Sequence, residues 1–188
     1  MIDAYQLGAR VAQLAFRYSG ACGCEPFRPR MREALGLSPT EWFDWRVFVS
    51  GKQGVSTCFM FAHNMWRMAG IAVPPWHVGD FVSTLRAAMP DIWQPWQDGC
   101  EPSTGDLIVL GPRAKGGTHV AIVTSFDGVT LESIDGGQVC RQTGPGHDGT
   151  GRQAIKMRKR EWLGDGRVRG DRVDDVVGWF DVARARLR

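Results

Sequence analysis

Residues 118–135 read THVAIVTSFDGVTLESID, and this stretch decides the fold class. Short runs rich in β-branched residues stand on both sides of Asp127-Gly128, a pattern typical of two antiparallel strands joined by a tight turn. Similar short runs bounded by Gly and charged residues predict further strands at GDLIVLG (105–111), QAIKMRKR (153–160) and DDVVGWFDV (174–182). The second half of the chain therefore predicts a small antiparallel sheet.

The first half of the chain has helical spacing instead. Apolar residues recur every three or four positions, and capping residues or glycines stand where these segments begin or end. We predict helices over residues 3–18, about 30–35, a short segment after Ser38 or Thr40, 57–69 with Gly70 as its stop, and about 78–88. Helices followed by strands predict one α+β domain over residues 1–188, with a helical layer (about 1–90) packed on the sheet (about 104–188).

Composition excludes several classes of function. The formal net charge of the 188 residues is only +3, and no run of about 18 apolar residues occurs. We therefore expect no nucleic acid partner, no membrane span and a monomer. The basic residues of KMRKREW (156–162) predict a solvated face.

The amino terminus and the cysteines bear on where the protein works. Residues 1–20 have neither a basic start nor an uninterrupted apolar core, so they predict a folded amphipathic helix and no signal peptide. The five cysteines leave at least one thiol outside any set of internal disulfides. Cys22 and Cys24 lack a clear second pair, which makes them a weak zinc signal, so we expect no metal and no cofactor. Disulfides to Cys100 or Cys140 are expected only in an oxidising compartment.

The position of Cys58 in the sequence favours a reactive thiol. Cys58 lies in the first turn of the apolar helix predicted over 57–69, where the partial positive charge of a helix start favours the thiolate and backbone N–H groups can hold an oxyanion. A nucleophilic thiol needs a base. His119 begins a predicted strand, which would hold its ring rigidly at a sheet end. The other histidines are predicted to be structural or loop residues: His63, His77 and His147.

The hairpin offers His119 an acidic partner in one of two registers. If Asp127-Gly128 forms a two-residue loop, His119 faces Gly136 and Asp135 lies on the opposite side of the sheet. If residues 126–128 form a three-residue loop, His119 faces Asp135 directly. A catalytic role for Asp135 therefore predicts the three-residue loop, with the carboxylate fixing the tautomer of the imidazole.

These residues resemble a known family. STCFMFAHNMW (56–66), followed by GDLIVL and THVAIVTSFDGVTLESIDGG, is similar to the NlpC/P60 and CHAP groups of papain-like cysteine peptidases and amidases. In those groups a Cys at a helix start precedes a His-Val strand and a polar residue on the next strand. The resemblance implies a papain-like fold, with Cys58 as nucleophile, His119 as general base and Asp135 as orienting residue.

Other residues are candidates for supporting roles. The backbone amide of Cys58 is the first candidate for the oxyanion site, with the side chains of Gln53 and Ser56 as helpers. Three aromatic side chains are candidates for stacking on a sugar in a substrate groove: Trp76, Trp93 and Trp96. Asp106 is interpreted as a turn residue at the start of a strand and is left out of the chemistry.

The resemblance implies hydrolysis of amide bonds in the stem peptides of bacterial peptidoglycan. Without a signal peptide, such a protein would be made in the cytoplasm and would reach the wall or periplasm by lysis, as a phage lytic enzyme, or by non-classical export, as an antibacterial effector. Its partners would be peptidoglycan or its peptide fragments, and an immunity or secretion protein. Two alternatives stay open: a papain-like amidase or acyltransferase with another substrate, and a catalytically silent module that binds glycan or peptide.

Overall fold

The computed structural model describes most of the chain. The described residues are 3–24, 28–38, 57–75, 81–112, 114, 119–140, 143–144, 147–148 and 153–187. Several predictions fall outside these ranges, among them the short helix after Ser38 or Thr40 and any role of Gln53, Ser56, Trp76 or His77. Among the described residues, no helix has the length and hydrophobicity needed to cross a membrane.

The predicted helices are confirmed where the chain is described. Helix α1 is Ala4–Tyr18, α2 is Arg28–Leu35, α3 is Thr57–Ala69 and α4 is Phe81–Ala88. Asp3 caps α1 through its side chain, which accepts a hydrogen bond from the Gln6 backbone. Gly70, with a φ of 94°, takes the left-handed conformation that follows α3. The buried faces of these helices form one side of the main core.

The strands follow the helices, as the sequence predicts. They are β1 (Trp93–Pro95), β2 (Leu107–Leu110), β3 (His119–Phe126), β4 (Thr130–Val139), β5 (Thr143–Gly144), β6 (His147–Asp148), β7 (Gln153–Trp162), β8 (Arg167–Arg169) and β9 (Val173–Phe180). Strands β5 and β6 pair only with each other, whereas the other seven form one antiparallel sheet in the order β1-β9-β2-β3-β4-β7-β8. Asp106 accepts backbone hydrogen bonds from Ser103 and Val182 just before β2, which agrees with its predicted turn role.

The sheet curves into a barrel. Strand β8 pairs with both β7 and β9, so the strand order returns on itself. Side chains alternate between the two faces along each strand. The inner face holds a buried apolar cluster: Ile108, Leu110, Ala121, Val123, Leu131, Val168, Val176 and Trp179. The outer face packs against the helices through a second set: Leu107, Val109, Val120, Ile122 and Ile134.

The turn between β3 and β4 differs from both predicted forms. Phe126 pairs with Leu131, so the hairpin closes further along the chain than either prediction has it. Asp127 organises the turn, because its Oδ1 accepts hydrogen bonds from the backbone N–H groups of Val129 (2.9 Å) and Thr130 (2.6 Å). The predicted three-residue loop is therefore wrong. The hydrogen bonds that Asp127 accepts from the backbone of its own turn determine where the hairpin closes.

A bulge then shifts the pairing of β3 and β4. The register changes between Val123 and Ser125, and beyond this point Ala121, rather than His119, lies opposite Asp135. His119 and Ala121 are two residues apart on one strand, so their side chains leave the same face of the sheet. His119 is therefore a diagonal neighbour of Asp135, a separation that long side chains can bridge.

The start of α3 rests directly on β4. The β4–β7 register is irregular between Asp135 and Gln138, and Gly137 has a φ of 74°. A Cβ added to Gly136 would lie 2.7 Å from the carbonyl oxygen of Thr57 and 3.0 Å from the Cα of Cys58. Only glycine allows this approach of helix and strand. The bulged end of β4 thus places the Cys58 backbone beside the residues that follow Asp135.

Candidate active site

Cys58 is the second residue of α3, as predicted, and it is buried. Backbone N–H groups in the first turn of a helix have no acceptor within the helix, and they carry the positive end of its dipole. The rest of α3 is held in place by its own side chains. The indole of Trp66 donates to the carbonyl of Gly105 (3.0 Å), and the amide of Asn64 donates to the carbonyls of Glu33 (2.9 Å) and Ala34 (3.1 Å).

His119 and Asp135 are in direct contact. Nε2 of His119 lies 2.7 Å from Oδ2 of Asp135, and the His119 side chain is 18% exposed while that of Asp135 is fully buried. Since Nε2 is engaged by the carboxylate, Nδ1 is the ring nitrogen left for Cys58, with which His119 also forms a side-chain hydrogen bond. The structure therefore brings together the three residues predicted as catalytic: Cys58, His119 and Asp135.

The surroundings of His119 favour its protonated form. Burial lowers the pKa of His119, but the negative charge of Cys58 and the hydrogen bond to Asp135 outweigh this effect, and the pKa is raised to about 10. The attraction between imidazolium and thiolate is mutual, so it also stabilises the charged sulfur. A thiolate beside an imidazolium is the form of cysteine that attacks carbonyl carbons.

Asp135 is held from its other side by residues that sequence reasoning missed. Oγ of Ser133 donates to Oδ1 of Asp135 (2.6 Å), and Nη2 of Arg160 bonds Oδ2. Nη1 of Arg160 donates to the Ser133 hydroxyl (2.6 Å) and lies 3.4 Å from Oδ1 of Asp135. The four groups form a chain of alternating charge inside the barrel, from imidazolium through carboxylate to guanidinium, with the hydroxyl as a bridge.

This network keeps the carboxyl ionised. Burial raises the pKa of Asp135, but the positive charge of Arg160 and the hydrogen bond from His119 outweigh it and hold the pKa well below its usual range. A carboxylate that stays charged can orient the imidazole and stabilise its protonated form.

Arg160 corrects one prediction. Its side chain is only 7% exposed, so the interpretation of KMRKREW as a solvated face is wrong at this residue. Arg160 pairs with Leu131 across the β4–β7 ladder, and Leu131 belongs to the cluster inside the barrel. No local pattern in the sequence marked the burial of Arg160. A run of basic residues hid it, because arginine is rarely buried without a partner.

The other predicted site residues lie apart from this centre or outside the described ranges. Gln53, Ser56 and Trp76 are outside them, so their roles stay predictions. Thr57, next to the thiol, donates its hydroxyl to the side-chain oxygen of Gln153 (3.1 Å), a residue not singled out from the sequence. Of the other histidines, His63 contacts the carbonyl of Pro74 through Nε2 (2.8 Å), in agreement with its predicted structural role.

Trp93 and Trp96 make packing contacts within the sheet. Trp93 lies on β1, which is separated from β3 by β9 and β2, a span of about 14 Å. Its ring packs against Phe180, with centroids 4.8 Å apart, and the guanidinium of Arg86 lies 4.8 Å from its centroid. Trp96 packs against the cluster inside the barrel. A sugar-stacking role for either ring remains a prediction.

Comparison with known proteins gives a family match for part of the chain. The family model of the CHAP domain matches residues 49–137, just under half of the chain. No curated protein and no solved structure gives a significant match. The matched segment includes α3, β2, β3 and the part of β4 that carries Asp135. The matched segment contains Cys58, His119 and Asp135, and this part of the chain is similar to the CHAP family, whose members typically are peptidoglycan hydrolases.

Proposed function

We propose that the protein is a cysteine amidase or endopeptidase that hydrolyses amide bonds in the stem peptides of peptidoglycan. The observation that carries the proposal is the contact of His119 with Asp135 (2.7 Å) on one side and with Cys58 on the other. The order of Cys, His and Asp in the chain and the helix-borne thiol support a papain-like arrangement of the domain. The CHAP family supports the peptidoglycan substrate.

The proposed reaction has two halves. The Cys58 thiolate attacks the carbonyl carbon of the amide, and the backbone N–H of Cys58 stabilises the oxyanion that forms. The His119 imidazolium gives its proton to the leaving amine as the C–N bond breaks, which leaves a thioester on the sulfur. Neutral His119 then takes a proton from water as this water attacks the thioester, and the carboxylic acid product leaves while the thiolate–imidazolium pair returns.

The direct test is product analysis. Purified peptidoglycan is incubated with the wild-type protein, with Cys58→Ala, and with Cys100→Ser as a control at an exposed cysteine outside the site. We expect wild type and Cys100→Ser to release peptides with new amino and carboxyl ends, read by mass spectrometry, and Cys58→Ala to release at least about 10³-fold less. Equal release by Cys58→Ala would remove Cys58 from the chemistry.

A second measurement separates hydrolysis from silent binding. An activated Cys58 should react with iodoacetamide near neutral pH much faster than an ordinary thiol, as read by peptide mapping. A reactive Cys58 without any release from peptidoglycan would favour an amidase or acyltransferase with another substrate. An inert Cys58 would favour a binding module.

We also propose that the protein acts on the wall after lysis or non-classical export, as a phage lytic enzyme or an antibacterial effector. The buried face of α1, with Leu7, Val11 and Ala15 in the main core, supports a first helix that is part of the fold. Expression in a Gram-negative host should be harmless in the cytoplasm and should cause lysis when a signal peptide directs the protein to the periplasm. Periplasmic Cys58→Ala should be harmless. Toxicity of the untargeted protein would instead point to a cytoplasmic substrate.

A further inference from the structure

Three cysteine side chains converge beside the candidate active site. Cys22 and Cys24 follow α1, and Cys140 follows β4 directly. All three are buried, with exposed fractions of 1%, 1% and 2%. Their sulfur atoms lie within 4.8 Å of one another, and those of Cys24 and Cys140 are 3.8 Å apart.

Backbone pairing brings these residues together. The segment after α1 runs along the start of β7, with hydrogen bonds from Gly20 N to Ile155 O (2.8 Å), from Ile155 N to Ala21 O (2.8 Å) and from Gly23 N to Gln153 O (2.9 Å). The end of β4 pairs with the same part of β7, where Val139 lies opposite Gln153. The start of β7 thus aligns the Cys-x-Cys segment on one edge with Cys140 on the other. The backbone pairing of the sheet therefore brings the three cysteines together.

The spacing of the sulfur atoms fits a tetrahedral thiolate site. A Zn–S bond is about 2.3 Å long, so two thiolates on one tetrahedral zinc ion lie about 3.8 Å apart. The Cys24–Cys140 separation of 3.8 Å equals this value, whereas a disulfide bond is about 2.05 Å long.

We propose that Cys22, Cys24 and Cys140 bind a structural zinc ion through their thiolates. Binding releases the three thiol protons to solvent, and a fourth donor, such as a water molecule, completes the tetrahedron. The ion joins the segment after α1 to the end of β4, 116 residues along the chain. Soft thiolates in a buried site favour zinc over the hard cations calcium and magnesium.

The first test is metal content and coordination of the full-length protein. Wild type purified under reducing conditions with zinc in the medium should hold about one zinc ion per chain, with about three sulfur neighbours by X-ray absorption spectroscopy. Cobalt exchange should give the intense sulfur-to-cobalt charge-transfer band. Cys100→Ser and Cys58→Ala should bind the metal as wild type does, and Cys140→Ser should lose most of it.

A second measurement needs no variant and so does not depend on a mutant that folds. With zinc bound, Cys22, Cys24 and Cys140 should be protected from N-ethylmaleimide, and a chelator should expose them while Cys100 reacts in both states. Chelation should also lower the Tm by about 5–10 °C.

Several outcomes would overturn the zinc site. One is wild-type protein that holds no zinc and takes up no cobalt, which would mean that the three cysteines are buried core residues without a metal. Another is a Cys24–Cys140 disulfide found by mass spectrometry in protein from a reducing cytoplasm. Loss of metal from Cys58→Ala would show that Cys58, the proposed catalytic thiol, is a ligand of the metal. The peptidoglycan assay measures product release and not metal content, so the two proposals can fail separately.

Discussion

At the scale of single residues, the proposed chemistry depends on the proton that His119 holds. Its pKa of about 10 means that the imidazolium persists through neutral pH, ready to protonate a leaving amine. Most of the charge that keeps this proton comes from Cys58 and Asp135. Changes at either partner should therefore appear in the pH dependence of the reaction as well as in its rate.

Asp135→Asn should lower both the rate and the alkaline limit of activity. The carboxylate favours the imidazolium, so its loss lowers the pKa of His119, and the alkaline limb of kcat/KM should move to lower pH. We expect kcat to fall by about 10²–10⁴-fold, because an amide orients the ring but supplies no charge. The measurement is a pH–rate profile, with circular dichroism at each pH as a control for folding. An unchanged alkaline limb would show that Asp135 does not act through His119.

Arg160→Met should destabilise the protein, most of all near neutral pH, where the Asp135 carboxyl is ionised. The substitution leaves the Asp135 carboxylate without its buried cation, which costs about 3–5 kcal/mol of the free energy of unfolding. In the wild type the pKa of Asp135 is lowered, so its contribution to stability is present above the unfolded pKa and is lost as the pH falls below it. Without Arg160 the pKa of Asp135 rises, so the difference in stability between variant and wild type shrinks as the pH falls. Because the variant starts from a lower stability at neutral pH, its acid unfolding, followed by tryptophan fluorescence, should begin at a higher pH.

Lys159→Met is the matched control for Arg160. Lys159 lies on the same strand, but its side chain is 66% exposed, and its ion pair with Glu132 (2.5 Å) is open to solvent. Exposed pairs contribute at most about 1 kcal/mol. If both variants shift the acid transition equally, the effect belongs to net charge and not to the buried network.

The sequence could supply the reacting residues but not the network behind them. Cys58 and His119 stand out because each lies at the start of a regular element, where local rules apply. The roles of Arg160 and Ser133 become clear only when β7 lies against β4, and no local pattern distinguishes Arg160 from its basic neighbours Arg158 and Lys159. The cysteine cluster was equally hidden, since Cys140 meets Cys22 and Cys24 only through β7.

At the scale of elements, the contact of α3 with the bulged end of β4 sets the position of the thiol. Gly136→Ala would place a methyl group 2.7 Å from the backbone of Thr57, so the helix start must move. A displacement of about 1 Å can cost about 10²-fold in rate. We expect a loss of kcat of this size in peptidoglycan hydrolysis.

Gly137→Ala provides the comparison. Its Cβ would meet Cys58 N at 3.6 Å, an ordinary contact, but its φ of 74° strains an alanine. We expect this variant to lose stability, by about 1–2 kcal/mol, with less effect on kcat. Equal kcat values for the two variants would mean that the helix start is not held by Gly136.

The hairpin shows why the register could not be predicted. The two β-branched runs indicated two strands and placed them within a residue or two of their observed bounds. The pairing depends on the Asp127 side chain, which bonds its own turn, and on the bulge between Val123 and Ser125. Neither changes the polarity pattern of the strands, so the sequence allowed several registers. The contact of His119 with Asp135 was predicted correctly through an incorrect pairing.

At the scale of the whole molecule, helices and sheet share one core. The main buried cluster runs from Leu7 in α1 to Val182 after β9, so neither half keeps its core without the other. We propose that residues 1–188 fold as a single domain. Thermal unfolding followed by far-ultraviolet circular dichroism and by tryptophan fluorescence should give coincident single transitions. Two separate transitions would show that the helical and sheet parts fold independently.

Closure of the sheet by β8 has a consequence for how the enzyme would lose activity. Arg160, whose guanidinium holds the Asp135 carboxylate, lies on β7 between β4 and β8, and its side chain is only 7% exposed. Breaking the contact between Arg160 and Asp135 requires the strands to separate, and this separation is global unfolding. Heat inactivation should then track unfolding of the entire chain, with no inactive but folded state accumulating before it.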